Sequence, residues 1–111
     1  MAKIKIAVAG CLGRMGQELS NQIIKNNKLE FVGGFEHKKH KDINKEFKNV
    51  SEINSNQLIH SNPVSSIKLA KVLIDFTTPQ STLENVKIAS QNKTAVIIGT
   101  TGMTESQKKK V

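Results

Sequence analysis

Three glycines spaced by three, in Gly10-Cys11-Leu12-Gly13-Arg14-Met15-Gly16, follow the apolar run Ile4-Lys5-Ile6-Ala7-Val8-Ala9 and open a helical pattern near Arg14. A buried strand passing through a glycine turn into a helix gives this spacing a chemical meaning. Gly10 permits the tight turn, and Gly13 and Gly16 leave room for backbone to approach a phosphate and for helix to approach strand. The helix N-terminus then directs free amides and the positive end of its dipole at an anion. The spacing is GxxGxxG, not GxGxxG. Alone, it fits a glycine-packed turn as well as a pyrophosphate cradle.

Three other polar stretches share its logic. Glu36 ends an apolar run 26 positions after Gly10, somewhat beyond the roughly 20 of the dinucleotide fingerprint. A carboxylate there can accept hydrogen bonds from ribose hydroxyls. Phe76-Thr77-Thr78-Pro79 and Gly99-Thr100-Thr101-Gly102 each follow an apolar run as well. Taken singly, Glu36 is a solvated strand end and Gly99–Gly102 a turn. Together they fall at the carboxyl ends of strands, where open parallel sheets bind ligands.

The elements that must position them can be read from the periodicity. Lys3–Ala9 reads as a central strand, and Arg14 to about Asn26 as a helix with Met15, Leu19, Ile23 and Ile24 on its buried face. Leu29–Phe35 reads as the second strand. His37–Gln57 is polar, with Ile43, Phe47, Val50 and Ile53 as anchors, and reads as an excursion with little regular structure. Leu58-Ile59-His60 reads as a short strand, Asn62-Pro63 as a turn, and Ser65–Lys71 as a brief helix. Val72–Phe76 is a further strand. Thr78 caps, and Pro79 opens, a helix to about Asn92 that buries Leu83, Val86, Ile88 and Ala89. Thr94–Ile98 reads as a buried strand, and Thr104 as the cap of a last helix. Alternating strands and helices predict a Rossmann-type α/β fold: a doubly wound, mostly parallel sheet with helices on both faces.

The composition narrows the function classes. The 111 residues suit one domain, and with no Trp or Tyr and four Phe, aliphatic side chains must build the core. No apolar run is long enough to span a bilayer, and Ile4–Ala9 is too short for a secretory signal, so a cytoplasmic location is expected. One cysteine, Cys11, excludes an internal disulfide and reads as a small filler in the turn. His37 and His40 lack a matching third ligand, so no metal site is expected. The formal charge of +8 raises nucleic acid as a partner. Against it, Arg14 is the only arginine, the lysines are spread along an Asn-rich chain, and there is little aromatic surface for stacking bases.

The segments Val8–Gly16, Ile74-Asp75-Phe76-Thr77 and Ile97–Gly102 together resemble the 4-hydroxy-tetrahydrodipicolinate (dihydrodipicolinate) reductases of bacterial lysine and diaminopimelate synthesis. The likeness runs through the whole chain with its blocks in order. It implies that residues 1–111 are a domain binding NADH or NADPH, followed in the full enzyme by a substrate domain, within a homotetramer. It also implies hydride transfer from the reduced nicotinamide to a cyclic, imine-like dicarboxylate. By the same resemblance Gly10, Cys11, Leu12, Gly13, Arg14 and Met15 hold the pyrophosphate. Glu36 holds the adenosine ribose, Gly99, Thr100 and Thr101 line the nicotinamide side, and Thr77 faces the same cleft. The position after Glu36, often Arg in the family, meets the 2′-phosphate of NADPH; here it is His37, followed by Lys38 and Lys39, which leaves the cofactor preference open. The family's paired histidines, catalytic lysine and Ser-Gly-Thr segment fall beyond position 111. No catalytic residue is therefore assigned, and the 111 residues alone are expected to be inactive. Two alternatives stay open: the cofactor domain of another Rossmann oxidoreductase, and a non-catalytic nucleotide- or nucleic-acid-binding module.

Overall fold

In the computed structural model, residues 3–99 are described. Four parallel strands form one sheet in the order β2-β1-β3-β4, with β1 (Ile4–Ala9) and β3 (Val72–Asp75) inside, and β2 (Leu29–Phe35) and β4 (Ala95–Ile98) outside. The pleat of β1 divides the core. Ile6 and Val8 face a cluster with Cys11, Ile23, Phe31, Phe47, Ile53, Ile59 and Ile74. Ala7 and Ala9 face a second cluster with Phe35, Ile67, Leu73 and Ala89. Helix α1 (Arg14–Lys25) contributes Ile23 to the first, while α3 (Pro63–Ile67) and α4 (Pro79–Gln91) contribute Ile67 and Ala89 to the second. Helices on both faces of a parallel sheet make this the doubly wound Rossmann-type fold that the alternation predicts.

Helix α1 buries Gly16, Ser20 and Ile23, with Leu19 and Ile24 half-buried; Met15, read above as inward, is 56% exposed. The reason is close approach. A Cβ at Gly16 would strike Gly10 O and come within 2.8 Å of Cys11 Cα, so only glycine fits there. Helix α4 departs from expectation in the same way. Its buried residues are Thr82, Asn85 and Ala89, and Leu83, Val86 and Ile88 are only half-buried, because two polar side chains turn inward beside Asp75. Apolar periodicity is blind to such a pair.

Strand β2 carries the pair Gly33-Gly34 opposite Ala7 and Val8, just past a register shift between Ile6 and Ala7. A Cβ at Gly34 would lie 2.9 Å from Cys11 Sγ and 3.1 Å from Phe47 Cζ, and one at Gly33 would lie 2.9 Å from Ser66 Oγ. The two glycines let packing from both faces reach the strand.

The excursion after β2 holds one helical turn, α2 (Phe47–Val50), and is pinned by fully buried Phe47, Ile53 and Ile59. Phe47 meets Phe31 edge-on, with ring centroids 5.6 Å apart. Residues 58–60 form isolated bridges and not a strand: Leu58 pairs with Glu46 and His60 with Phe35. The helix expected at Ser65–Lys71 begins at Pro63 and ends at Ile67, since Asn62 accepts a hydrogen bond from Val64 N–H and caps it. Strand β4 is an edge, not a buried strand: Ala95 and Ile97 are exposed, because α4 covers one of its faces and no described residue covers the other. The last helix expected from Thr104 lies outside the described residues.

Candidate functional site

The chain leaves β1 for β2 on one side and returns for β3 on the other, so the sheet order reverses between β1 and β3. A crevice must open there, at the carboxyl ends of the strands. A cleft of about 710 Å³ occupies that edge, within the roughly 300–1,000 Å³ common for small-molecule sites. Gly10, Leu12 and Gly13 line it after β1, Glu36, His37 and Lys38 after β2, and Phe76 and Thr77 after β3.

The glycine turn is built as a cradle. Gly10 has φ +73°, and a Cβ there would lie 2.8 Å from Phe76 O, so both conformation and space demand glycine. Gly13 is the N-cap of α1, and no side chain among the described residues caps this helix. Its first turn also holds no acidic residue. Helices α3 and α4 differ, being capped by Asn62 and Thr78 with proline following. The first amides of a helix have no partner within it, so α1, whose N-cap Gly13 lines the cleft, starts there with donors to offer. At Gly13 itself an added Cβ would meet only Gly10 O, at 3.6 Å. The space beside it is open.

Glu36 is tied to this turn. Its Oε2 accepts the Leu12 N–H at 2.7 Å, and Leu12 O accepts Gln17 Nε2 at 2.8 Å. The Leu12 peptide is thus gripped from both sides, and one carboxylate oxygen stands beside the glycine turn. Beyond it, His37 and His40 use Nδ1 to accept the Lys39 and Asp42 amides, which folds this basic loop at the rim. No described group of His, Cys, Asp and Glu could hold a metal ion.

Cys11 occupies the turn, but its side chain points into the core and its Sγ lies 3.6 Å from Phe35 O. Burial, with the nearby Glu36 carboxylate, holds the thiol well above its ordinary pKa. At pH 8 iodoacetamide is therefore expected to leave the folded chain unmodified and to add once in denaturant; prompt labelling without denaturant would count against this packing. The same shift sets a sign for stability. The unfolded thiol ionises near about pH 8.5, so this group's contribution is intact below that pH and falls above it.

Arg14 and Met15 are exposed at the start of α1, and neither they nor Cys11 line the cleft. Gly99 donates to Asp75 O at 2.7 Å and abuts the Phe76 ring without lining the cleft among the described residues. Thr100 and Thr101 lie outside those residues.

The cleft also includes residues that sequence reasoning passed over: His40, Ser61, Pro63, Ser81, Glu84 and Asn85. For Ser61 the signal was present. Glu36 N–H donates to His60 O, and His60 N–H to Gly34 O, so His60 bridges onto the end of β2 and delivers Ser61 to the same carboxyl edge.

The family model described as "Dihydrodipicolinate reductase, N-terminus" matches residues 4–111. The chain belongs to the dihydrodipicolinate reductase family, as its amino-terminal domain. A 4-hydroxy-tetrahydrodipicolinate reductase from Methanocorpusculum labreanum is 37% identical over 112 residues, covering 94% of this chain and 38% of its own length. That of Colwellia psychrerythraea is 33% identical over 105 residues, covering 95% and 39%. Among solved structures, a dipicolinate-bound dihydrodipicolinate reductase from Paenisporosarcina sp. TG-14 superposes with TM-score 0.74 at 29% identity, over 96% of this chain and 41% of that one. An aspartate semialdehyde dehydrogenase with NADP from Candida albicans, 14% identical, shares the fold with TM-score 0.74 over 90% of this chain and 30% of that one. The chain thus spans about two fifths of the length of these reductases.

Proposed function

We propose that this reductase-family domain, residues 1–111, binds a reduced nicotinamide dinucleotide, NADH or NADPH, along the carboxyl edge of its sheet. The observation that carries the reading is one cleft holding an uncapped helix start, open space at Gly13, and a carboxylate anchored on the Leu12 amide. These residues fit the cofactor. Amides from the turn and the first residues of α1 would hold the pyrophosphate, Glu36 a ribose, and the β3–α4 turn with Gly99, Thr100 and Thr101 the nicotinamide side. The bound cofactor would supply hydride, while the protein orients it and excludes competing reactions.

In the full-length enzyme a substrate domain would follow, presenting a small cyclic dicarboxylate, within a cytoplasmic homotetramer. No described helix is long and apolar enough to cross a membrane.

Calorimetric titration of the chain with each cofactor tests the reading. Binding of both is expected, with less than about hundredfold preference, or roughly 2.7 kcal/mol. Glu36 favours free ribose hydroxyls, while His37 and Lys38 at the rim offset a 2′-phosphate carrying close to two negative charges. Lysine is a flexible point charge and grips phosphate less specifically than arginine. A larger preference would overturn this balance, and no binding would overturn the reading.

The 111 residues alone are expected to give no turnover with freshly generated substrate and NADPH, followed by absorbance. Hydride transfer needs the substrate held against the nicotinamide, and positioning supplies much of such an acceleration. Cofactor oxidation above the substrate-free rate would contradict this.

A further inference from the structure

The β3–α4 turn holds a polar network that the pyrophosphate cradle does not use. Asp75 ends β3 with no exposed surface. Its Oδ1 accepts the Thr77 N–H at 2.8 Å and the Thr77 hydroxyl at 2.6 Å, and its Oδ2 accepts Asn85 Nδ2 at 3.1 Å. A threonine hydroxyl carries a single hydrogen. Here that hydrogen goes to a carboxylate over a short distance, the stronger class of hydrogen bond. The Thr78 carbonyl, at 3.4 Å, competes for it poorly. Thr82 Oγ1 lies 3.4 Å from the same oxygen. Thr77 lines the cleft, so its hydroxyl can offer a ligand only a lone pair.

The neighbouring wall has the same polarity. Glu84 and Asn85, both on α4, line the cleft beside Thr77. Glu84 adds a carboxylate, and Asn85 gives one of its two amide hydrogens to Asp75. Across the cleft, the first turn of α1 beyond Gly13 offers amides with no partner inside the helix.

We infer that Asp75 is a positioning residue that fixes the Thr77 hydroxyl as a hydrogen-bond acceptor, so that the cleft beside β3 selects a ligand group that donates a hydrogen bond. The inference rests on the dinucleotide reading and deepens it. The nicotinamide half of that cofactor carries two such donors, the carboxamide N–H and the ribose hydroxyls. A carboxylate or phosphate presented to Thr77 would meet a lone pair.

Calorimetry on the 111-residue chain separates the possibilities, using NADH, its reduced acetylpyridine analogue, ADP-ribose and ADP. In the analogue a methyl ketone replaces the carboxamide. ADP-ribose keeps the second ribose without the ring, and ADP lacks both. Thr77→Val is expected to weaken NADH about tenfold, while Thr77→Ser, which keeps the hydroxyl, stays within about twofold of the parent. If the carboxamide is the donor, the parent discriminates against the acetylpyridine analogue, and Thr77→Val abolishes that discrimination. If a ribose hydroxyl is the donor, Thr77→Val weakens NADH, the analogue and ADP-ribose alike. In both cases ADP shows no comparable loss.

Asp75→Asn keeps an oxygen for the Thr77 hydroxyl but sets an amide nitrogen against that of Asn85, and should weaken NADH less than Thr77→Val does. The pair Asp75→Asn with Asn85→Asp restores donor against acceptor, and with it the affinity. Thermal melts by circular dichroism show which variants fold, and Thr77→Val carries the test if Asp75→Asn does not. Unchanged NADH affinity in Thr77→Val, or an equal loss for ADP, overturns this inference alone. Failure of the parent chain to bind any of the four overturns the dinucleotide reading and this inference with it.

Discussion

Gly16→Val is expected to destabilise the chain by at least about 3 kcal/mol, a large share of the roughly 5–15 kcal/mol that holds a typical domain together. The cause is backbone against backbone. A Cβ at Gly16 would strike Gly10 O and crowd Cys11 Cα at 2.8 Å and Cys11 C at 2.9 Å. No side chain can rotate away to relieve this, so α1 would have to lift from the turn and from Ile6 and Val8 beneath it. Overpacking against movable side chains usually costs about 1–3 kcal/mol, and a clash with main chain belongs above that range. Urea unfolding followed by circular dichroism is the measurement. A midpoint matching that of the parent would mean that helix and turn are not in the contact described.

Gly13→Val should do the opposite: preserve the fold and abolish dinucleotide binding. Gly13 has φ −69° and ψ 167°, an extended conformation suited to a β-branched residue, and its Cβ would have nothing nearer than Gly10 O at 3.6 Å. Valine is a poorer N-cap than glycine, so a stability loss of about 1 kcal/mol or less is expected. Two methyl groups would nevertheless fill the space where a phosphate must reach the first amides of α1. The affinity for NADH should fall more than about a hundredfold, roughly 2.7 kcal/mol. Calorimetry beside a thermal melt decides the matter. Retained affinity would place the pyrophosphate elsewhere, and loss of the fold would mean that Gly13 serves packing as Gly16 does.

The contrast between these glycines also shows what a linear reading can and cannot recover. The glycine turn, its flanking strand and helix, and the Thr78-Pro79 helix start were legible because each is a local arrangement with a local cause. Which glycine guards the ligand and which guards the core was not, since that depends on Gly10 O folding back over Gly16. Glu36 could be placed at a strand end, but its bond to Leu12 N–H joins residues 24 apart. The inward turn of Thr82 and Asn85 was hidden for a related reason. Their burial is set by Asp75 on another element, and a rule that looks for apolar side chains every three or four residues passes over them. Likewise, Thr94–Ile98 reads as buried by composition, and the exposure of Ala95 and Ile97 reflects that, among the described residues, a helix covers only one face of the strand.

The strand order carries a consequence for how such a chain is made. β1 leaves the ribosome first and lies inside the sheet, β2 joins one of its edges, β3 the other, and β4 the outside of β3. His60 is added beyond β2 in the same manner. Every described strand therefore arrives at an edge that is already open, and none of these pairings has to be broken to admit a later one. Domains begin folding from the amino terminus during translation, when unpaired edges invite misassembly. A sheet that grows outward from its first strand can settle in step with synthesis, with the glycine turn assembled on β1 and β2 before β3 has been translated.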